Sequence, residues 1–538
     1  MAKQSTAFWK CWRAKFDPCK KTVGQVNGLT DGKEIVELFK EYFIEACSPL
    51  TNKGNASLED CYNRTRPTYC GTPWSDDMLL DVELVDSVIR CSSRGKAAGL
   101  DSLNVEHLQY SHPALPLLLS KLFNLMLRFG CVPDGFGLSY TVALPKTNNT
   151  ANKPLSVNDF RGISISPVIS KIFEKCILDR FAVFFKSHDS QFGFKKGMGC
   201  SHAVYSVKAV VDFYTNQGTT VNLCALDLKK AFDKMNHYGL YIKLMGRMIP
   251  NCLLSLIEHW FNICVTCVRF GRYLSDFFQL KCGVRQGGVL SPYFFAVYID
   301  DLIRKLQRLN YGCFVRSVCV NAFLYADDII LLAPSIDALT KILRIVENEL
   351  ASLDMALNAS KSVCIRYGPR FDRSCSEIST NSGEGLRWVS TCRYLGVFLV
   401  ASRRFKITLD NNKRSFYRSF NAIFGKIGRL ASEEVIVHLI SVKCLPVLTY
   451  GLDACPVCVS DIRSLDFIIT RMFMKIFQTS SVDVVKGCQT MFNFRRVSEL
   501  VLDRKRKFLQ KLCSSDNIIC ETLAFMAKDE LSNLRSAS

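Results

Sequence analysis

Two adjacent aspartates, Asp327 and Asp328, stand in the middle of the apolar run NAFLYADDIILLA, Asn321 to Ala333. An ionised carboxylate is costly to bury unless a partner or a metal compensates it. The aromatic and β-branched residues on either side read as two short strands, which puts the pair at a tight turn between them. Such a turn pushes its side chains out of the sheet while its neighbours stay buried. Asp also suits turn backbones on its own account, so the pair alone leaves a structural turn and a chemical site both open. A second aspartate in similar surroundings, Asp227, ends the apolar strand of NLCALDLKKAFD. It lies 100 residues before Asp327 and so belongs to a strand of its own. If the two strands are neighbours, three carboxylates converge. Oxygen ligands clustered in this way suit hard cations such as Mg²⁺. Two such ions about 3.5–4 Å apart clamp the attacking and leaving oxygens of an in-line phosphoryl transfer.

The remaining composition narrows the partners. A chain of 538 residues exceeds one compact core, so about two to four lobes are expected. Its 48% hydrophobic and 22% charged residues are ordinary for globular chains and argue against wholesale disorder. The net charge of +20 favours polyanions, nucleic acid before anionic membrane. The 25 cysteines are irregularly spaced inside apolar runs such as LCALDL and FNICVTCV, where free cysteine packs as a small hydrophobe. With no signal peptide read at the start, they imply a reducing intracellular compartment, nucleus or cytoplasm, and not secretion. No apolar run approaches the roughly 18–20 residues of a membrane span, and no membrane partner is expected. Cys455 and Cys458 in CPVC have zinc-ligand spacing, but no second close pair follows, and a packed pair is the better reading.

Along the chain, residues 1–90 read as an extension of helices and loops. DGKEIVELFKEYFIEAC carries Ile35, Leu38, Phe39, Tyr42 and Phe43 at helical spacing, and the polar stretch SPLTNKGNASLEDCYNRTRPTYCGTP reads as a loop. From about 91 to 399, helices alternate with short strands. HPALPLLLSKLFNLMLRFG reads as a buried helix, and TVNLCALDLKKAFDKMN as a strand running straight into a helix. CVTCVRFGRYLSDFFQLKCGVRQGG reads as a hairpin with a Gly-containing turn and PYFFAVYIDDLIRKLQRL as a helix. Helices against a mainly antiparallel sheet make an α+β fold. Residues 400–538 read as helical and basic, with 22 Lys+Arg against 13 Asp+Glu from Val400 onward. There SFYRSFNAIFGKIGRL aligns Phe416, Phe420, Ile423, Phe424, Ile427 and Leu430 on one face, flanked by Lys413, Arg414, Arg418, Lys426 and Arg429. Either the charges are solvated or the helix lies on a phosphate backbone. The run RKRK, Arg504 to Lys507, is read as a solvated or nucleic-acid-facing helix before a nuclear signal.

Three motifs in order carry a resemblance. YADD at 325–328 resembles the catalytic box of reverse transcriptases, LDLKKAFD their preceding acidic motif, and GVRQGGVLSPYFFAVYIDDL their glycine-containing nucleotide motif. GKAAGLDSLNVEHL, NDFRGISISPVISKIFEKCILDR and QFGFKKGMGC resemble the finger motifs of non-LTR (LINE-type) retrotransposon enzymes. LNASKS and YLGVFL resemble their later palm motifs, and CLPVLTYGLDACP more loosely their thumb. The resemblance covers Gly95 to Pro456, and the opening STAFWKCWRAKF and VNGLTDGKEIVELFKEYF resemble the linker before the polymerase. FRGIS and GLDS depart from the family's usual Tyr-Arg-Pro-Ile-Ser and Gly-Pro-Asp-Gly, in the finger loops and away from the acidic residues.

The resemblance implies a right-hand polymerase, with fingers and an antiparallel palm sheet over 91–399 and a helical basic thumb and tail over 400–538. It implies an RNA-directed DNA polymerase that extends a DNA 3′-hydroxyl on an RNA template with dNTPs, and release of pyrophosphate. Asp227 and Asp327 would ligate two Mg²⁺ ions, with Mn²⁺ as a substitute, and Asp328 would complete the triad. The Leu228 carbonyl would join a metal shell. Phe232 would exclude a 2′-hydroxyl under the sugar, or else be simply core. Gln286 and Gly287 would let the backbone approach the nascent base pair. Arg161 and Lys146 would hold the triphosphate. Lys361 would protonate the leaving pyrophosphate, or be an exposed lysine. The rival readings are a catalytically dead relic that binds RNA, a group II intron-type maturase, and a viral RNA polymerase, against which Phe232 speaks.

Overall fold

A computed structural model describes residues 25–146, 154–309, 311–428 and 430–536. The opening motif STAFWKCWRAKF and Arg429 lie outside the described residues. In chain order the strands are β1 (Leu138–Pro145), β2 (Phe160–Ile165), β3 (Val221–Leu226), β4 (Val265–Phe270), β5 (Tyr273–Leu274), β6 (Phe278–Gln279), β7 (Phe314–Val315) and β8 (Val318–Cys319). There follow β9 (Ala322–Tyr325), β10 (Asp328–Ala333), β11 (Val363–Tyr367), β12 (Ile378–Ser379), β13 (Gly385–Trp388), β14 (Thr391–Tyr394), β15 (Val397–Val400) and β16 (Lys406–Thr408). The content is α+β. The chain divides into two compact units, each assembled from separate stretches. The first comprises Met1–His188, Leu228–Leu302 and Asn348–Leu357; the second comprises Asp189–Asp227, Ile303–Glu347 and Asn358–Ser538. Residues 91–399 therefore contribute to both, while 400–538 lie in the second.

The first unit is built on the sheet β2-β1-β4-β5, with β6 also on β4. β1 pairs antiparallel with β2 and parallel with β4. Gly271, at φ +61°, turns β4 back into β5 as the hairpin pattern requires. The helix Gly32–Ala46 buries Ile35, Phe39 and Phe43, the 3.6-residue stripe of its sequence, beside Phe160 and Val268. Phe39 meets Phe160 edge to face, centroids 4.9 Å apart. A Cβ on Gly162 would stand 2.7 Å from the Phe43 ring, so the glycine of FRGIS is what lets this helix lie close on β2.

Three expectations change here. The polar stretch after Ser48 is not a loop: Asn52–Thr65 is a helix with no buried residue, which accounts for its lack of an apolar stripe. The Thr51 hydroxyl accepts the Gly54 N–H as its cap, and Asp354 accepts the N–H groups of Leu50 and Thr51. Tyr62 and Arg66 tie its far end to Glu258. The helix Leu115–Phe129 is buried on one face only; Leu118 and Phe129 are 61% and 72% exposed. After β3 the chain does not enter a helix at once. It passes through turns, with Lys230 at φ +47°, and becomes helical at His237, where the Asn236 side chain accepts the Gly239 N–H.

The second unit centres on the sheet β12-β13-β11-β3-β10-β9, antiparallel except for β11 with β13. β3 and β10 are nearly all apolar because both faces are buried: Val221, Leu223, Ile330 and Leu332 join one core, and Cys224, Leu226, Ile329 and Leu331 are buried on the other face. That core includes Val204, Val207 and Val211 of the helix Cys200–Asn216 and Leu509, Leu512, Ile519 and Leu523 of the C-terminal helices. β14-β15-β16 form a separate small sheet, and β7 with β8 a hairpin. The helix Asp410–Ile427 buries Phe416, Phe420 and Ile427, but Leu430 lies past its end and is exposed. Among the described residues no helix is long and apolar enough to cross a membrane, and the cysteines are free. Cys455 is buried, which pushes its thiol up to about 12, whereas Cys458 is exposed and its Sγ donates to Asp461 at 2.8 Å, so only the first cysteine of CPVC is packed.

Candidate active site

The carboxylates are brought together within the second unit by strand register. Leu226 of β3 faces Ile329 of β10. One step further in the same antiparallel register, Asp227 comes level with Asp328, and directly opposed side chains in such a ladder are about 4.5–5.5 Å apart at Cβ. Tyr325 pairs with Asp328, which leaves Ala326 and Asp327 as the two turn residues of the β9–β10 hairpin. Ala326 is at φ +59°, the left-handed backbone that a two-residue hairpin turn demands. A non-glycine residue there is strained by about 1 kcal/mol or more. The turn is braced by Gln191, which is fully buried and whose Oε1 accepts the N–H groups of Ala326 and Gly193, each at 3.0 Å. The segment around it runs along β9, with Leu324 N–H on the Ser190 carbonyl and Phe192 N–H on the Leu324 carbonyl. A Cβ on Gly193 would stand 2.7 Å from Ala326 N, so QFGF supplies both the brace and the room for it.

Asp227 is held on three sides by the LNASKS stretch. Asn358 Nδ2 donates to its Oδ2 at 3.0 Å, and Asn358 N–H donates to its carbonyl at 2.8 Å. Its own N–H donates to Ser362 Oγ at 3.1 Å. Lys361 Nζ lies 3.9 Å from the same Oδ2 with its side chain 67% exposed, a loose and solvated pair. Asp328 is accessible at its surface yet densely surrounded. Its carboxyl is pushed up to about 6, first by that crowding and then by the charges of Asp327 and Asp227, against which Arg393 acts. Among the described residues no three His, Cys, Asp or Glu side chains already gather to hold a metal ion. The reason is physical: like charges repel, and Asn358 and Lys361 draw Asp227 to their own side. The donor set is nonetheless all oxygen, and Asp328 is a carboxyl that a cation would relieve, so the residues fit a hard divalent ion.

The other expected residues lie in the first unit. Arg161, on β2 opposite Leu144, is exposed. Lys146 ends β1 with its N–H on the Asp159 carbonyl and its Nζ on the Asn158 carbonyl at 2.6 Å. Leu228 bridges to Leu357 through the bond from Lys229 N–H to the Ala356 carbonyl, not through its own carbonyl. The Phe232 ring packs against Phe295, tilted by 32° with centroids 4.7 Å apart. Gln286 donates from Nε2 to Asp233 Oδ1 at 2.8 Å, and burial raises the Asp233 carboxyl. The Gln286 carbonyl accepts Ser164 N–H at 2.8 Å. A Cβ on Gly287, at φ +133°, would stand 2.3 Å from the Ser164 carbonyl, so only glycine fits this close approach. Asn358, Gln191 and Asp233 are the functional candidates that the sequence motifs did not single out.

Residues 144–399 match the family model for reverse transcriptase (RNA-dependent DNA polymerase), a stretch that includes every expected site residue. A retrovirus-related Pol polyprotein from the type-2 retrotransposable element R2DM of Drosophila melanogaster is 26% identical over 53% of this chain and 27% of its own length. The RNA-directed DNA polymerase from the mobile element jockey of Drosophila funebris is 23% identical over 80% of this chain and 48% of its own. Apo telomerase from Candida Tropicalis covers 83% of this chain and 77% of its own at 13% identity, with a TM-score of 0.37 that is too low to carry an argument. Residues 144–399 are thus similar to reverse transcriptases, and the chain is similar to proteins of the R2DM and jockey elements, spanning less than half the length of either curated relative. Divalent-metal dependence goes with that family.

Proposed function

We propose that this chain is an RNA-directed DNA polymerase, the polymerase portion of a LINE-type element. It extends a DNA 3′-hydroxyl on an RNA template with dNTPs. The observation that carries this reading is that β3 and β10 are neighbours, with Leu226 opposite Ile329, so that the charge of Asp227 reaches Asp328, with Asp327 in the adjoining turn, inside the matched stretch. Asp227, Asp327 and Asp328 would hold two Mg²⁺ ions, or Mn²⁺ in their place. When bound, the ions offset the carboxylate charge and stabilise the reacting oxygens. The Leu228 carbonyl is a further candidate ligand. Lys361, mobile enough on its exposed stem to reach outward, holds the proton for the leaving pyrophosphate. Arg161 and Lys146 bind the triphosphate. Phe232, backed by Phe295, walls off a 2′-hydroxyl. Gln286 and Gly287 meet the nascent base pair, and Gln286 is held ready by Asp233.

On this reading 91–399 form fingers and palm, 400–538 the basic thumb and tail, and 1–90 a leading extension. The partners are an RNA template and a DNA primer or target, with no membrane. The compartment is reducing, nucleus or cytoplasm, as the free cysteines support. The test is extension of a DNA primer annealed to RNA, with Mg²⁺ and either dNTPs or rNTPs. RNA-templated DNA synthesis is the expected result. RNA binding without extension would replace the proposal with a non-catalytic remnant, and a preference for rNTPs with an RNA polymerase.

A further inference from the structure

Glu174 lies inside the helix Val168–Arg180, in the stretch SKIFEKC, and is 4% exposed. Its two oxygens do different things. Oε2 accepts the Leu290 N–H at 2.8 Å, and Oε1 has no hydrogen-bond partner. The residue borders a small cavity of about 30 Å³, shared with Trp260, Cys264, Arg285, Gly288 and Ser291. Burial raises its carboxyl, and Arg285 is the chief charge acting against this. A buried acid with an unmade hydrogen bond is expensive. A leucine would fill the same helix position at no such cost. What the acid gains is a hold on the loop Arg285–Leu290.

Within the loop, Gly288 N–H donates to the Arg285 carbonyl at 3.0 Å, and Ser291 Oγ to the same carbonyl at 2.7 Å. Its near end is tethered by Ser164 N–H on the Gln286 carbonyl, by Gln286 Nε2 on Asp233 and by Arg285 Nη1 on the Phe136 carbonyl at 3.0 Å, and Glu174 holds its far end at Leu290. A Cβ on Gly288 would approach Glu174 Oε2 to 3.3 Å, so the acid lies directly against the glycine turn. It also sits at the start of the helix Ser291–Gln307, where a carboxylate is favoured. From this geometry we infer that Glu174 is a positioning residue: it clamps the far end of the Gln286–Gly287 loop so that the loop presents to the incoming nucleotide. This rests on the reading of that loop given under the proposed function.

The experiment compares Glu174→Ala with Glu174→Gln in the full chain, by two readouts. The glutamine keeps an acceptor for Leu290 N–H. We expect E174A to raise KM for dNTP about tenfold or more, with primer–template affinity unchanged, and E174Q to stay within about threefold of wild type. We also expect faster backbone hydrogen exchange over residues 285–291 in E174A and not in E174Q. Unchanged exchange there in folded E174A overturns the inference. So does a loss confined to kcat, or an E174Q as impaired as E174A. If E174A does not fold, Glu174→Asp, one methylene shorter, takes its place with the same expected direction. If the wild-type chain does not polymerise, the proposed function fails, and the exchange readout alone still decides the role of Glu174.

Discussion

Asp328 is the side chain whose surroundings suit it least. Its carboxyl titrates at about 6 in the folded chain, against an ordinary value of 3.8. The folded state therefore holds the proton more tightly than the unfolded state does. Stability falls as pH rises from about 4 to about 6, and the penalty persists above that range. Asp328→Asn removes the charge. Without divalent cations it should raise the melting temperature at pH 7.5, and the gain should vanish near pH 4, as thermal unfolding across that range would show. Equal curves for both proteins would mean that Asp328 is not strained. Phe232 gives a second prediction at this scale. Phe232→Ala, which removes the ring packed against Phe295, should raise rNTP incorporation relative to dNTP by about tenfold or more in single-nucleotide extension. If the ratio does not change, Phe232 is simply core. The aspartates and the tight turn at Ala326 were legible in the sequence because charged residues in an apolar run are conspicuous. Asn358, Gln191 and Glu174 were not. An amide or acid inside a motif looks like any other until the group it binds, 131 to 135 residues away for the first two, is known.

Among the elements, the helix Ile518–Ser536 packs Ile519, Cys520, Leu523 and Ala527 into the core and is further held by an ion cluster. Glu530 pairs with Lys208 of the helix Cys200–Asn216 and with Lys505 of the helix Val497–Cys513, the latter at 3.0 Å. Burial alone would raise the Glu530 carboxyl, but the two lysines bring it below its usual range. Lys208 is 4% exposed, and its remaining acid, Asp212, lies 3.7 Å away. Glu530→Ala should therefore destabilise the chain by about 3 kcal/mol in urea unfolding, because it leaves a buried ammonium poorly paired. A change within about 0.5 kcal/mol would show the cluster to be a solvated surface pair. Strands and apolar helices were readable from their periods. The helix Asn52–Thr65 was not, because its support comes from the Thr51 and Asp354 caps and from Glu258, none of which shows as periodicity. The helix Leu115–Phe129 misled in the opposite sense: leucines on both faces read as burial, yet one face is open.

For the whole molecule, the α+β class follows from alternating helices and short strands, but the division into units does not. The chain passes from one unit to the other beside Asp227 and again beside Asn358. A linear reading places its boundaries at shifts in composition, whereas packing places them inside the motifs. The carboxylates proposed to hold the metal ions and Lys361 thus belong to one unit, and the residues proposed to bind the nucleotide to the other. The net charge of +20 fits a polyanionic template for such a molecule. The most direct test is primer extension on an RNA template by the wild-type chain beside an Asp327→Ala/Asp328→Ala variant of equal stability and RNA affinity. Extension by the wild type, reduced at least about a thousandfold in the variant, is the result expected of residues that hold the catalytic ions. Equal extension by the two proteins would contradict the account, because the paired aspartates would then be a turn and nothing more.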